Sequence, residues 1–187
     1  MEEEKKLTRA FICIELSDEC VKEIARIDEL LSKIKFTGKL TELENLHLTL
    51  KFLGEIGDEK IGEIKKRLAK IETPAFEAKL GRIGIFHRNK EPKIVWVKIE
   101  SRILMELQKK VDDALSDLFP KEERFMSHLT IARIKYIKDK KSFDEKIGNI
   151  SVEPVKFSVI NFKLKSSELR ATGPVYRDIE AFSLKAP

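Results

Sequence analysis

The tetrapeptide His-Leu-Thr-Leu at positions 47 to 50 returns as His-Leu-Thr-Ile at positions 128 to 131, and what surrounds each copy constrains the fold more than the copy does. A strand-like apolar run, a helical stripe and a loop precede both; a connector, a proline and an extended segment follow both. In the first round, Arg9 to Leu16 holds the run Phe11, Ile12, Cys13, Ile14, suited to a buried strand, and Ser17-Asp18 can cap what comes next. Val21, Ile24, Ile27, Leu31 and Ile34 then recur at helical spacing, with Gly38 closing that region. After the first His-Leu-Thr, Asp58 caps a second predicted helix carrying Ile61, Ile64, Leu68 and Ile71, which Thr73-Pro74 ends. Residues 76 to 86 read as extended, with glycines that permit a bulge or bend.

The order restarts at Ile94. Residues 94 to 100 form a predicted strand, Ser101 caps a helix, and Ile103, Leu107, Val111, Ala114 and Leu118 supply its buried stripe before Pro120. The strand 128 to 134 follows, then a charged connector, 135 to 150, that can hold a short helix of poor periodicity. Pro154 introduces an extended run, 155 to 164, as Pro74 did earlier. A duplication of this kind predicts an α+β fold of two intertwined lobes about a pseudo-two-fold, each lobe an antiparallel-rich sheet with packed helices, around a central cleft. The expected repeats cover 9–86 and 93–165 of a single domain, 1–187, with a return strand at 174–184.

Alternation places Leu46, Leu48, Leu50 and Phe52 on one strand face and His47, Thr49 and Lys51 on the other. Histidine exchanges protons near neutral pH, so two of them across a cleft can serve as one general base and one general acid. Each threonine, two residues along the same face, can donate a hydroxyl hydrogen bond to an anion. A tetrahedral phosphodiester fits such a pair of pairs. Zinc needs three or four ligands, and neither segment offers cysteine or carboxylate at ligand spacing, so no metal and no cofactor are expected. Ser127 adjoins His128 but falls on the opposite face, which argues against a serine nucleophile. A duplicated packing or hydrogen-bonding feature is the competing account of the pair.

Charge adds a mild preference for an anionic partner such as RNA: 37 Lys and Arg against 32 Asp and Glu give +5 and a pI near 9.1. A charged fraction of 37% also suits a heat-adapted protein. Cys13 and Cys20 match neither a zinc pattern nor a disulfide framework and read as inert thiols in a reducing compartment. With no apolar run long enough to span a bilayer and no signal-like start, a soluble cytoplasmic monomer without membrane contact is expected.

The chain resembles the archaeal and bacterial 2′-5′ RNA ligase family, better described as RNA 2′,3′-cyclic phosphodiesterases, within the two-histidine phosphoesterase superfamily. The likeness runs nearly full length through "RAFICIEL", "NLHLTLKFLGEI", "GRIGIF", "IVWVKIE", "SHLTIARIK" and "KSSELRATGPVYRDIEAFSL", with Ser127 where many relatives have proline. It implies a bilobal fold and a catalytic quartet of His47, Thr49, His128 and Thr130. It also implies metal-independent hydrolysis of a terminal RNA 2′,3′-cyclic phosphate, tRNA fragments among the substrates, to a 2′-phosphate. With a 5′-hydroxyl RNA end in place of water, the same chemistry seals a 2′-5′ linkage without ATP. Which histidine is base and which is acid stays open.

Four further residues are substrate-binding candidates. Arg133 has phosphate chemistry, although strict alternation turns it away from His128; Lys51 shares the His47 face; His87 lies beside Arg88 and Lys90 in a loop that can form the cleft rim; Tyr176 belongs to the closing segment. Phe11, Phe52, Trp96 and Phe125 can stack a base, although aromatics inside strands are usually core. Two alternatives compete with the RNA reaction: a phosphodiesterase for a small cyclic nucleotide phosphate, and a non-catalytic RNA-binding protein.

Overall fold

Apolar runs of the sequence become the inner face of one antiparallel sheet in the computed structural model, which describes residues 7–171 and 173–186. Its strands are β1 (Thr8–Glu15), β2 (Thr37–Leu40), β3 (His47–Ile56), β4 (Phe76–Arg88), β5 (Glu91–Glu100), β6 (His128–Tyr136), β7 (Lys156–Val159), β8 (Asn161–Arg170) and β9 (Gly173–Ser183). The helices are α1 (Asp18–Ser32), α2 (Asp58–Leu68), α3 (Arg102–Ala114) and α4 (Lys140–Gly148). Spatial order is β7-β4-β5-β6-β3-β1-β8-β9, with β2 added alongside β6. Two four-strand halves therefore meet at β6 and β3. Each half borrows from the other round of sequence: β4 pairs with β5, and β8 pairs with β1.

Capping explains where three helices start. The Ser17 hydroxyl accepts from the Cys20 amide at 3.4 Å, Ser101 from Leu104 at 3.5 Å, and Asp139 from Ser142 at 3.0 Å. The last of these gives the charged connector a definite helix. Asp58 differs from expectation. Gly57 is the N-cap of α2 and makes no side-chain cap, so Asp58 is the first helical residue and acts through its charge at the positive helix end. The stripe of α1, Cys20, Ile24, Ile27 and Leu31, is fully buried in one core with Ile12, Leu48 and Leu129. Each buried Leu or Ile contributes roughly 1.5–3 kcal/mol by leaving water, and a one-residue slip would expose a whole strand face.

Three elements depart from the sequence expectation. Gly38 lies in β2 instead of ending a helix; a Cβ there would collide with the Arg133 carbonyl, so glycine is what lets β2 reach β6. The run 155 to 164 is two strands, because the chain crosses from β4 in one half to β1 in the other at Ile160, which is 62% exposed. His87 and Arg88 are strand residues, not loop residues: the β4–β5 hairpin turns on Asn89 and Lys90, at φ 52° and 63°. No helix among the described residues is long and apolar enough to cross a membrane.

Candidate active site

Strands β3 and β6 share one register pair, Leu48 with Leu129. Both leucines are buried, 1% and 0% exposed, in the core under the sheet. Their neighbours must therefore project from the opposite face. In an antiparallel pair this sets His47 beside Thr130 and Thr49 beside His128, with the histidines at opposite corners of a four-residue square. All four line one cavity of about 500 Å³, together with Arg133 and Tyr176.

Backbone carbonyls orient both imidazoles in the same way. His47 Nδ1 lies 2.7 Å from the Asn45 carbonyl, and His128 Nδ1 lies 2.7 Å from that of Met126. A carbonyl only accepts, so each Nδ1 carries a proton and each Nε2 is left to exchange one. Aromatic edges hold the rings: Tyr176 meets His47 at 5.1 Å and 88°, and Phe86 meets His128 at 5.0 Å and 85°. Phe11 packs on His47 at 4.8 Å. Burial is the leading cause that holds the His47 pKa below its ordinary 6.5, with Lys165 and Arg133 adding in the same direction against the Asn45 hydrogen bond and Glu15. Tyr176 is pushed up, again mainly by burial.

Matched bulges decide which other residues reach the cavity. Along β3, Thr49 pairs with Cys13 and Lys51 with Ile12, which leaves Leu50 extra; along β6, Thr130 pairs with Trp96 and Ala132 with Val95, which leaves Ile131 extra. The extra residue follows the threonine in both strands. Alternation inverts there, so Leu50 and Lys51 are both buried, as are Ile131 and Ala132, although Leu50 and Lys51 still border the cavity and Ile131 and Ala132 do not. Arg133 is thereby turned onto the cavity, against the expectation from strict alternation. Phe52 is corrected in the same sense, from core to 70% exposed on the cavity wall.

Lys51 borders the cavity, but its ammonium is already engaged. That group is buried in an ion pair with Asp112 of α3 and donates to the Pro120 carbonyl at 2.8 Å, while the other Asp112 oxygen accepts the Glu122 amide at 2.8 Å. The network fastens the segment that supplies Arg124, Phe125 and Met126 to the cavity wall. His87 pairs with Asp144 of α4 at 3.0 Å and is not among the residues lining the cavity. Of the other aromatics, Phe11 and Trp96 are buried, at 3% and 4% exposure, but on the site's side of the sheet, Phe11 against His47 and Tyr176 and Trp96 against Phe86, and Phe125 lines the cavity. Sequence reasoning missed Asn45, Met126 and Phe86. The first two stand two positions before each histidine, but they act through carbonyls, which residue identity does not reveal. Among the described residues, no group of three or more His, Cys, Asp and Glu is gathered where a metal ion could be held.

Residues 14–96 and 97–176 each match the model of the LigT-like phosphoesterases. The chain is 37% identical over 173 residues to an RNA 2′,3′-cyclic phosphodiesterase of Thermotoga maritima, a match covering 90% of this chain and 91% of that one. It is 36% identical over 175 residues to one of Methanocaldococcus jannaschii, covering 92% and 98%. Its fold is similar to that of the Thermus thermophilus protein TT0787, at a TM-score of 0.80 and 26% identity over 95% of this chain and 98% of the other. Escherichia coli LigT complexed with 3′-AMP shares the fold at 0.76, with 23% identity over 96% and 99%. Two tandem matches to one family model, and relatives of this identity along nearly the whole chain, place the protein among the LigT-like two-histidine phosphoesterases, in the RNA 2′,3′-cyclic phosphodiesterase family.

Proposed function

We propose that this protein hydrolyses a terminal RNA 2′,3′-cyclic phosphate to a 2′-phosphate, with His47, Thr49, His128 and Thr130 as the catalytic quartet. The observation that carries this is the diagonal square around Leu48 and Leu129, in which each tethered imidazole stands beside the other repeat's threonine over one cavity. One histidine Nε2 takes a proton from water as its oxygen bonds to phosphorus. The bond from phosphorus to O3′ breaks, and the second histidine gives O3′ a proton. The threonine hydroxyls hold non-bridging oxygens, and Arg133 balances the charge that builds on them. Ring strain in the cyclic diester lowers the barrier. No step in this scheme calls on a metal ion. A 5′-hydroxyl RNA end in place of water would form a 2′-5′ linkage by the same exchange of bonds.

The test is an oligonucleotide ending in a 2′,3′-cyclic phosphate, incubated in chelator, with the position of the product phosphate identified. A 2′-phosphate is expected, and His47→Ala or His128→Ala is expected to slow its formation by at least ~100-fold. Full turnover in both variants, or activity that disappears in chelator and returns with added metal, refutes the scheme.

A further inference from the structure

A second cavity adjoins the first, and the two share His47, Phe52, Arg133, Pro174 and Tyr176 as a common wall. It lies between the paired ends of β1 and β3 and the β8–β9 ribbon. That ribbon pairs with β1 as far as Ser166 and then overhangs, with Ser167 opposite Tyr176 and Leu169 opposite Pro174. Arg9, Glu55 and Leu169 belong to this cavity alone.

Three observations describe what fits there. Phe52 and Leu169, two large apolar side chains on different walls, are 70% and 68% exposed, a cost that nothing in the core requires. Gly54, at φ 70°, sits beside the irregularity in the β1–β3 pairing, and a Cβ there would meet nothing within 4 Å, so the floor is open. Arg9 is exposed, makes no ion pair with a described residue, and stands opposite Glu55 in the register. Apolar surfaces that accept a base, a guanidinium that accepts a phosphate and a carboxylate that accepts hydroxyl or amino donors are together the requirements of a nucleotide. Continuity with the cavity that holds the quartet says which nucleotide.

We infer that this second cavity binds the nucleotide immediately 5′ of the cyclic-phosphate terminus, so that the enzyme reads two residues of an RNA strand instead of one. The inference rests on the reaction proposed above and deepens it. The base of the flanking nucleotide lies between Phe52 and Leu169, and its phosphate meets Arg9. Free mononucleotides forgo all of these contacts.

Kinetics on adenosine 2′,3′-cyclic phosphate and on the adenylyl dinucleotide with the same cyclic end provide the test. The dinucleotide is expected to have a kcat/KM at least ~10-fold higher, in line with one stacked base. Arg9→Gln and Leu169→Asp, both outside the first cavity, are each expected to remove most of that advantage while leaving mononucleotide turnover unchanged. Equal rates on the two substrates, or equal losses on both, overturn the subsite. So does a loss confined to joining with a 5′-hydroxyl strand, which would assign the cavity to the second RNA end. Affinity for the dinucleotide 2′-phosphate, measured by calorimetry against adenosine 2′-phosphate, judges the subsite independently of turnover: a preference for the dinucleotide that Arg9→Gln abolishes supports it even where the reaction fails, and no preference overturns it.

Discussion

Replacing Lys51 by methionine should cost far more stability than a surface lysine would. Its side chain and that of Asp112 are 6% and 7% exposed, and the pair is closed by the Pro120 carbonyl and the Glu122 amide. Removing the ammonium leaves a buried carboxylate with one remaining donor, the Glu122 amide, and strands a carbonyl. Breaking one side of such a pair costs about 3–5 kcal/mol, which for a chain of this length lowers Tm by roughly 6–20 °C. Asp112→Leu alone should cost a similar amount. The double variant, with apolar groups filling both positions, should recover most of the loss and retain a deficit of about 2 kcal/mol from the unpaired Glu122 amide and Pro120 carbonyl. Urea denaturation of the four proteins gives the coupling directly. A Lys51→Met loss below about 1 kcal/mol, or a double variant as unstable as the sum of the singles, would refute the view that this network is closed and dry. The same variant should also slow the reaction, because the segment from Pro120 leads to the Met126 carbonyl that orients His128.

His47 should titrate below 6.5 by NMR, and the anion of a nucleotide 2′-phosphate should raise its midpoint; a midpoint at or above 6.5 in the free protein contradicts the burial. Because the folded value lies below the unfolded one, the His47 contribution is intact above pH 6.5 and is lost as pH falls from there through the folded pKa, so denaturation curves taken across that window should show a decline that His47→Gln lacks. Burial pushes the Cys13 thiol up to about 12 and raises Cys20 as well, so neither should react with a thiol reagent near pH ~8 until denaturant is added. Gly38→Ala places a methyl group against the Arg133 carbonyl; it should destabilise the fold by about 1–3 kcal/mol and weaken nucleotide binding, since β2 carries Leu40 of the cavity wall.

The repeat, the helices and the two His-x-Thr faces were legible because they rest on local signals: stripes at helical spacing, capping serines, and alternation across three residues. Strict alternation gave Arg133, Phe52 and Lys51 the wrong strand faces for one shared reason, although all three border the cavity. A bulge is a relation between two strands, and the residue it leaves over is defined only by the partner's register. A trace remains in the doublet Ile131-Ala132, flanked by apolar residues at 129 and 134, where strict alternation should have put a polar residue. The strand β2 was hidden behind Gly38, whose usual meaning as a helix stop fits its neighbourhood as well as its actual use in close strand contact. The Lys51–Asp112 pair joins residues 61 positions apart, and no local pattern encodes it.

The sheet order has a consequence for how such a site can become asymmetric. Because β4 completes the half that holds β5 and β6, and β8 the half that holds β1 and β3, neither round of sequence closes its own sheet. A protein made of one round would need a second copy to supply the missing strand, and its two matched bulges would then offer the same side chain twice. Joining both rounds in one polypeptide keeps the mutual dependence and releases that restriction: the slot after each bulge holds an aromatic ring in one strand and a guanidinium in the other. The cavity is thereby walled by an aromatic ring on one side and a cation on the other, an asymmetry that two identical copies could not provide.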